Sequence, residues 1–298
     1  MVEDLLKLKN FLENGALTLA SLIKWAVLPS TKFELLNQFE GEFWVLVNGP
    51  SLTKSIESGG DVWKERNTLC VNNFALSELY PRIQPKFYLL HDPFFFVDLD
   101  QLKPPSLRED ILAMFHAILH HTSWPMYLLI PYQYKKNIEQ YRPELLNAEN
   151  VKLVYYNYVV MDGWPKVIYP FYRRGKGMVQ SQNVGVAALF LGLIMGFKKI
   201  YLLGADHSWH KTIYVNQKNL VVVREEHFYD KDEGKEIVMY QDPQEKIPFT
   251  MAELFLAWHK VFKGYQNIAK LAQTFDAKIY NATPHSFIDA FERTKLEP

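Results

Sequence analysis

The feature that most constrains this chain is an alternation that begins after Thr31. Short, compact apolar runs rich in β-branched and aromatic residues are separated by segments with helical spacing. The runs at 43–47, 67–71, 86–90, 125–130, 151–155, 199–203 and 277–280 show no clean polar alternation, as strands buried on both faces require. Between them, 53–58, 107–120, 133–141, 184–195 and 251–274 repeat their apolar residues at helical intervals. Strand and helix in turn make βαβ units, which build a parallel sheet covered on both faces. The predicted fold is α/β: a doubly wound, mostly parallel Rossmann-like sheet with a lid insertion and an N-terminal helical extension. At 298 residues with 48% hydrophobic composition, the chain can bury the core of one large domain. The reading is an amphipathic helical extension over 1–40 and a Rossmann-like nucleotide-binding domain over 41–298, carrying an insertion at 207–248.

That insertion is polar, aromatic and charged, with no room for a βαβ unit. It starts directly after the strand at 199–203, so it would hang over the C-terminal edge of the sheet, where open α/β folds bind ligands. It reads as a lid, or as a β-hairpin arm for oligomer contacts. In the N-terminal extension, Lys7, Lys9 and Lys24 stand among leucines and Trp25, and Pro29 ends the pattern. Its apolar part is too short to cross roughly 30 Å of hydrocarbon. Such a helix lies on a bilayer or packs on the domain.

Charge and cysteine content narrow the function classes. Lys+Arg and Asp+Glu both number 33, so no global basic field gathers nucleic acid. Cys70 is the only cysteine, which excludes an internal disulfide framework and a multi-cysteine zinc site and fits a reducing compartment. The expectation is a cytoplasmic protein, with membrane association through the N-terminal helix and homo-oligomerisation left open.

The strongest local signal is the strand–turn–helix at 43–52, with Asn48-Gly49-Pro50-Ser51-Leu52 at the turn. Gly49 admits close backbone approach to a ligand, Pro50 stiffens the turn, and Ser51 caps the next helix and offers a hydroxyl to an anion. This is the expected phosphate cradle. Asn72 and Asn73 follow the second run, His91-Asp92-Pro93 the third, and Gly204-Ala205-Asp206-His207 the sixth, so a parallel sheet would gather all of them at one edge. Asn183-Val184-Gly185 opens an apolar helix whose free N–H groups would suit a second anion, and Arg173, Arg174 and Lys176 read as a phosphate clamp or a solvated loop. Among nine histidines, His91, His207, His227 and His285 sit in loops beside strand ends, where a general base is useful.

These residues resemble the single-domain bacterial sialyltransferases that use a CMP-activated sugar. The likeness runs in order through Gly49 to Leu52, Cys70-Val71-Asn72-Asn73-Phe74, Asp92-Pro93 before three phenylalanines, Met195 to Asp206 and Pro284-His285-Ser286. It implies a glycosyltransferase that takes a sialic acid-like sugar from a CMP donor to a glycan acceptor in bacterial surface polysaccharide or glycoconjugate synthesis, with no cofactor required. It further implies that Asn48, Gly49, Ser51, Asn72, Asn183, Gly185 and Gly204 hold the nucleotide. Asp92, Asn73, Asp206, Tyr229 and His285 would face donor or acceptor, and His227 would be the base with His207 in reserve. Gly204-Ala205-Asp206 and Ile279 to Thr283 are also similar to the 6-hydroxymethylpterin diphosphokinase-like family related to flagellin-modifying proteins. That likeness implies pyrophosphoryl transfer from ATP with Mg²⁺, and a non-catalytic nucleotide- or glycan-binding module is the third expectation.

Overall fold

The computed structural model describes residues 2–58, 60–102, 105–224, 236–242 and 245–295. Its centre is an eight-stranded sheet with every pairing parallel. In chain order the strands are β1 (Glu42–Leu46), β2 (Thr68–Val71), β3 (Phe87–Leu89), β4 (Met126–Pro131), β5 (Val151–Tyr156) and β6 (Lys199–Leu203). Three short strands, β7 (Ile213–Val215), β8 (Val221–Arg224) and β9 (Glu236–Val238), form a separate antiparallel sheet, and β10 (Tyr240–Asp242) pairs with β11 (Ile247–Pro248). The chain returns to the main sheet as β12 (Lys278–Asn281) and β13 (Glu292–Arg293).

The spatial order is β13-β12-β6-β1-β2-β3-β4-β5. From β1 the sheet grows outward through β5, then returns to the other side of β1 with β6 and continues through β12. The direction of winding therefore reverses between β1 and β6, which makes the C-terminal ends of those two strands the topological switch point of the sheet.

Helices cover both faces: α1 (Val2–Val27), α2 (Leu52–Ser58), α3 (Tyr80–Ile83), α4 (Pro105–His120), α5 (Lys135–Tyr141), α6 (Pro165–Arg173), α7 (Val184–Met195) and α8 (Met251–Thr274). The pleat sends successive side chains to opposite faces, so Phe43 and Val45 join the core that packs on α7 and α8, while Trp44 and Leu46 join the core beneath α2 and α4. All twelve residues of α7 are buried, which explains why its sequence is apolar all round rather than striped. Asn183 starts this helix by accepting from Val186 N at 3.0 Å, and Gly196 ends it in the left-handed conformation at φ 109°.

The sequence pattern passed over α6, which holds Pro165 at its first turn and Pro170 inside. α1 runs beside α6, with Phe11 5.0 Å from Trp164 and Trp25 5.1 Å from Phe171. Side-chain hydroxyls fasten it at 162–164: Ser21 Oγ donates to Asp162 O at 2.8 Å, and Thr18 Oγ1 accepts from Trp164 N at 2.8 Å. Gly163, at φ 128°, is needed there because a Cβ would fall 2.1 Å from Thr18 Oγ1. Among the described residues no helix is long and apolar enough to cross a membrane.

Candidate functional site

The loops after β1 and β6 are locked to each other at the switch point. Gly49 N donates to Gly204 O at 2.8 Å, and Val47 N donates to Leu203 O at 2.8 Å. Ser51 Oγ donates to Asp206 Oδ2 at 2.9 Å, with Ser51 N 3.4 Å from the same oxygen. This corrects the phosphate-cradle expectation for Gly49 and Ser51. The carboxylate of Asp206 is the anion at this turn, and it fills the position that an incoming phosphate would need. Gly49 is required for a different reason, since a Cβ would meet both Asp206 Oδ2 and Gly204 O at 2.2 Å.

A cleft of about 450 Å³ opens beside this lock. Its walls are Asn48 and Gly49 from the loop after β1, Asn72 after β2, and Gly204, Asp206 and His207 after β6. Ser208, Trp209, Lys211 and Thr212 close the side made by the inserted segment, and Val184 from α7 forms part of the floor. Asn72 adopts φ 46°, and its Nδ2 donates to Asp92 Oδ2 at 2.5 Å. Burial raises the Asp92 carboxyl above the usual carboxylate range, and the Asn72 hydrogen bond opposes that rise. The other amide atom, Asn72 Oδ1, is buried and accepts no hydrogen bond among the described residues. A buried acceptor without a donor is uncommon, and in a cleft wall it suits a ligand's N–H or O–H.

On the far side of Asp206 lies a larger cavity of about 830 Å³ with a basic lining: Lys54, His285, Arg293 and Lys295, against the single carboxylate of Asp206. His285 is exposed there at φ 54°. Two of the Arg293 nitrogens donate to Thr283 O and Ser286 O, which fixes the guanidinium at the rim. Sequence reasoning missed Lys54, in the first turn of α2, and Arg293 and Lys295, which reach this cavity only because β12 pairs with β6 and β13 with β12. A third cavity, about 430 Å³ and mostly apolar, lies between α8 and the β7-β8-β9 sheet, walled by Trp258, Val223, Ile237 and Met239. Trp209 borders both this cavity and the cleft.

His207 is not the reserve base that its loop position suggested. Its ring is 7% exposed, and Nε2 lies 2.9 Å from Tyr265 Oη and 3.1 Å from Asn183 Nδ2. Burial lowers its pKa to about 4, and an amide N–H aimed at Nε2 leaves no place for a proton. A base this weak removes protons poorly at neutral pH. His207 instead ties the start of the inserted segment to α7 and α8. Asn183 is likewise committed, as the cap of α7 and the partner of His207 and Tyr265. Gly185 is buried under Tyr265, whose Oη would stand 2.6 Å from a Cβ. Neither residue offers a second anion site.

Tyr265→Phe removes the hydroxyl shared by His207 and Asn183, leaving the buried imidazole bonded through Nε2 to Asn183 Nδ2 alone. The expected loss is about 1–3 kcal/mol in urea unfolding; an unchanged midpoint would show that the three do not act as a unit.

The remaining expectations fall elsewhere. Asn73 is exposed and is not among the residues lining the cleft. Arg173 stacks over Phe275, with its guanidinium 4.6 Å from the ring at the end of α8, and so belongs to the opposite edge of the sheet from the cleft. The phosphate-clamp reading of the Arg173 cluster is corrected accordingly. His227 and Tyr229 lie outside the described residues. Among the described residues no group of three or more His, Cys, Asp or Glu side chains converges as a metal site.

Fold and crevice together define a doubly wound α/β protein with a polar cleft at its topological switch point. No protein-family model matches the chain, and no curated protein matches it.

Proposed function

We propose that the protein transfers a sugar from a CMP-activated donor to a glycan acceptor. The observation that carries this reading is the pair of cavities flanking Asp206, one basic and one with the amides of Asn48 and Asn72 and a single lysine, Lys211, in its wall, at the switch point of the sheet. A nucleotide sugar has this polarity: an anionic phosphate linkage beside an uncharged polyhydroxylated ring. The basic side attracts the phosphate, and the cleft holds the sugar against a wall that includes Asn48 and Asn72. Both volumes fall within the range of small-molecule sites. Trp209 and the apolar cavity behind it supply the acceptor side, where tryptophan faces pack on sugar rings and apolar aglycones.

In this reaction the acceptor oxygen bonds to the anomeric carbon as the bond from that carbon to the phosphate oxygen breaks. CMP departs with the electron pair, and the acceptor proton passes to His227. A neutral imidazole serves as such a base at neutral pH.

A thermal-shift panel of CMP, CDP, UDP, GDP and ATP, each with and without Mg²⁺, tests the reading. CMP at a hundredfold excess over its dissociation constant stabilises by about 2.7 kcal/mol, and the shift should not need Mg²⁺. Stabilisation by ATP alone, and only with Mg²⁺, would replace sugar transfer with pyrophosphoryl transfer; no shift with any nucleotide would leave a scaffold.

A further inference from the structure

Half of the large apolar side chains that the described residues expose lie within residues 5–28. α1 uses one side, through Phe11, Thr18, Ser21 and Trp25, to fasten itself beside α6. On another side Leu5, Leu8, Leu12, Leu19 and Ile23 are each more than half exposed. Their spacing of three, four or seven residues aligns them in one stripe about 27 Å long, at 1.5 Å per residue.

The charge at the C-terminal end of α1 and along α6 is one-sided. Residues 14–33 contain Lys24 and Lys32 and no carboxylate, and residues 163–183 contain Lys166, Arg173, Arg174 and Lys176 and no carboxylate. Lys24, Lys32, Lys166, Arg173 and Arg174 are exposed. At the other end of α1, Glu3 and Glu13 pair with Lys7 and Lys9 at 2.7 and 3.6 Å. Asp162, beside this basic edge, accepts from Gly163 N at 2.7 Å. A surface that is apolar beneath and negative on top meets both demands.

We propose that α1 and the basic edge of α6 dock the protein on an anionic lipid bilayer. α1 lies in the plane of the interface, with its stripe at the acyl boundary and Lys24, Lys32, Lys166, Arg173 and Arg174 against the headgroups. This does not depend on the proposed sugar transfer.

Co-sedimentation of the full chain with vesicles of phosphatidylcholine alone, or of phosphatidylcholine mixed with phosphatidylglycerol, decides it. Binding should require phosphatidylglycerol and weaken as salt rises. The combined variant Arg173→Ala/Arg174→Ala should lower the partition coefficient roughly 30-fold, since each charge near the surface contributes about fivefold. The triple variant Leu12→Glu/Leu19→Glu/Ile23→Glu should abolish binding while keeping the parent's melting temperature. Equal binding to neutral vesicles overturns the proposal, as does binding to neither. So does a wild-type dimer in light scattering that the triple variant turns into a monomer without any vesicle binding by the parent.

Discussion

Lowering the pH from 6.5 to about 4 should cost this protein several kcal/mol of stability through two buried histidines. His91 and His207 are both buried, and burial lowers each pKa from 6.5 to about 4. His91 is held by two hydroxyls, Tyr156 Oη at 2.8 Å from Nδ1 and Ser181 Oγ at 2.9 Å from Nε2. Above pH 6.5 both rings are neutral in the folded and the unfolded chain, and the full stability is present. Between pH 6.5 and 4 the unfolded chain takes up protons that the folded chain refuses, so stability falls as the pH drops. Each histidine contributes about 3 kcal/mol to this loss once the pH is below both values. Asp92 works in the opposite sense, because its raised pKa makes the folded state the better proton acceptor as the pH falls. Urea midpoints from pH 7 to 4 check the balance, and His91→Gln with His207→Gln should flatten the curve. A midpoint constant across that interval would mean that these rings are protonated in place.

Gly49→Ala is expected to be strongly destabilising. Its Cβ would lie 2.2 Å from the Gly204 carbonyl oxygen, which cannot retreat, because Gly204 is at φ 70° with Val47 O 2.1 Å from where its own Cβ would be. It would also lie 2.2 Å from Asp206 Oδ2, which Ser51 holds. The clash is with backbone on one side and a hydrogen-bonded carboxylate on the other, so β1 and β6 must separate. The cost should reach or exceed about 3 kcal/mol, the upper end of ordinary overpacking. Gly41→Ala is the control: at φ 81°, with nothing within 4 Å, it should lose only about 1–2 kcal/mol from the left-handed backbone. If both variants unfold at the same denaturant concentration, the lock between the two loops is not rigid.

Much of the architecture was legible because buried strands and buried helices leave different marks in a chain. The apolar run at 199–203 became β6, and the helical patterns at 184–195 and 251–274 became α7 and α8 with the same limits. α6 was missed because two prolines and a cluster of basic residues look like a loop. Here Pro165 occupies the first turn, where no N–H is needed, and the helix ends within a few residues of Pro170. The convergence of Asn48, Asn72 and Asp206 at one edge followed from counting strand ends. What they would touch did not. Ser51 and Asp206 are 155 positions apart, and Asn183 and Tyr265 are 82 apart. Nothing local in the sequence announces that a carboxylate will satisfy the turn, or that a tyrosine on α8 will silence His207.

The enclosure of α7 has a consequence for how a guest molecule is accommodated. A helix with every residue packed cannot slide or tilt unless the domain opens, so its backbone amides should exchange with deuterium only through global unfolding. Val184 therefore gives the pocket one immovable floor. Ser208, Trp209 and Thr212 face it from the short turn before β7, and any adjustment to the outline of a bound molecule falls to them.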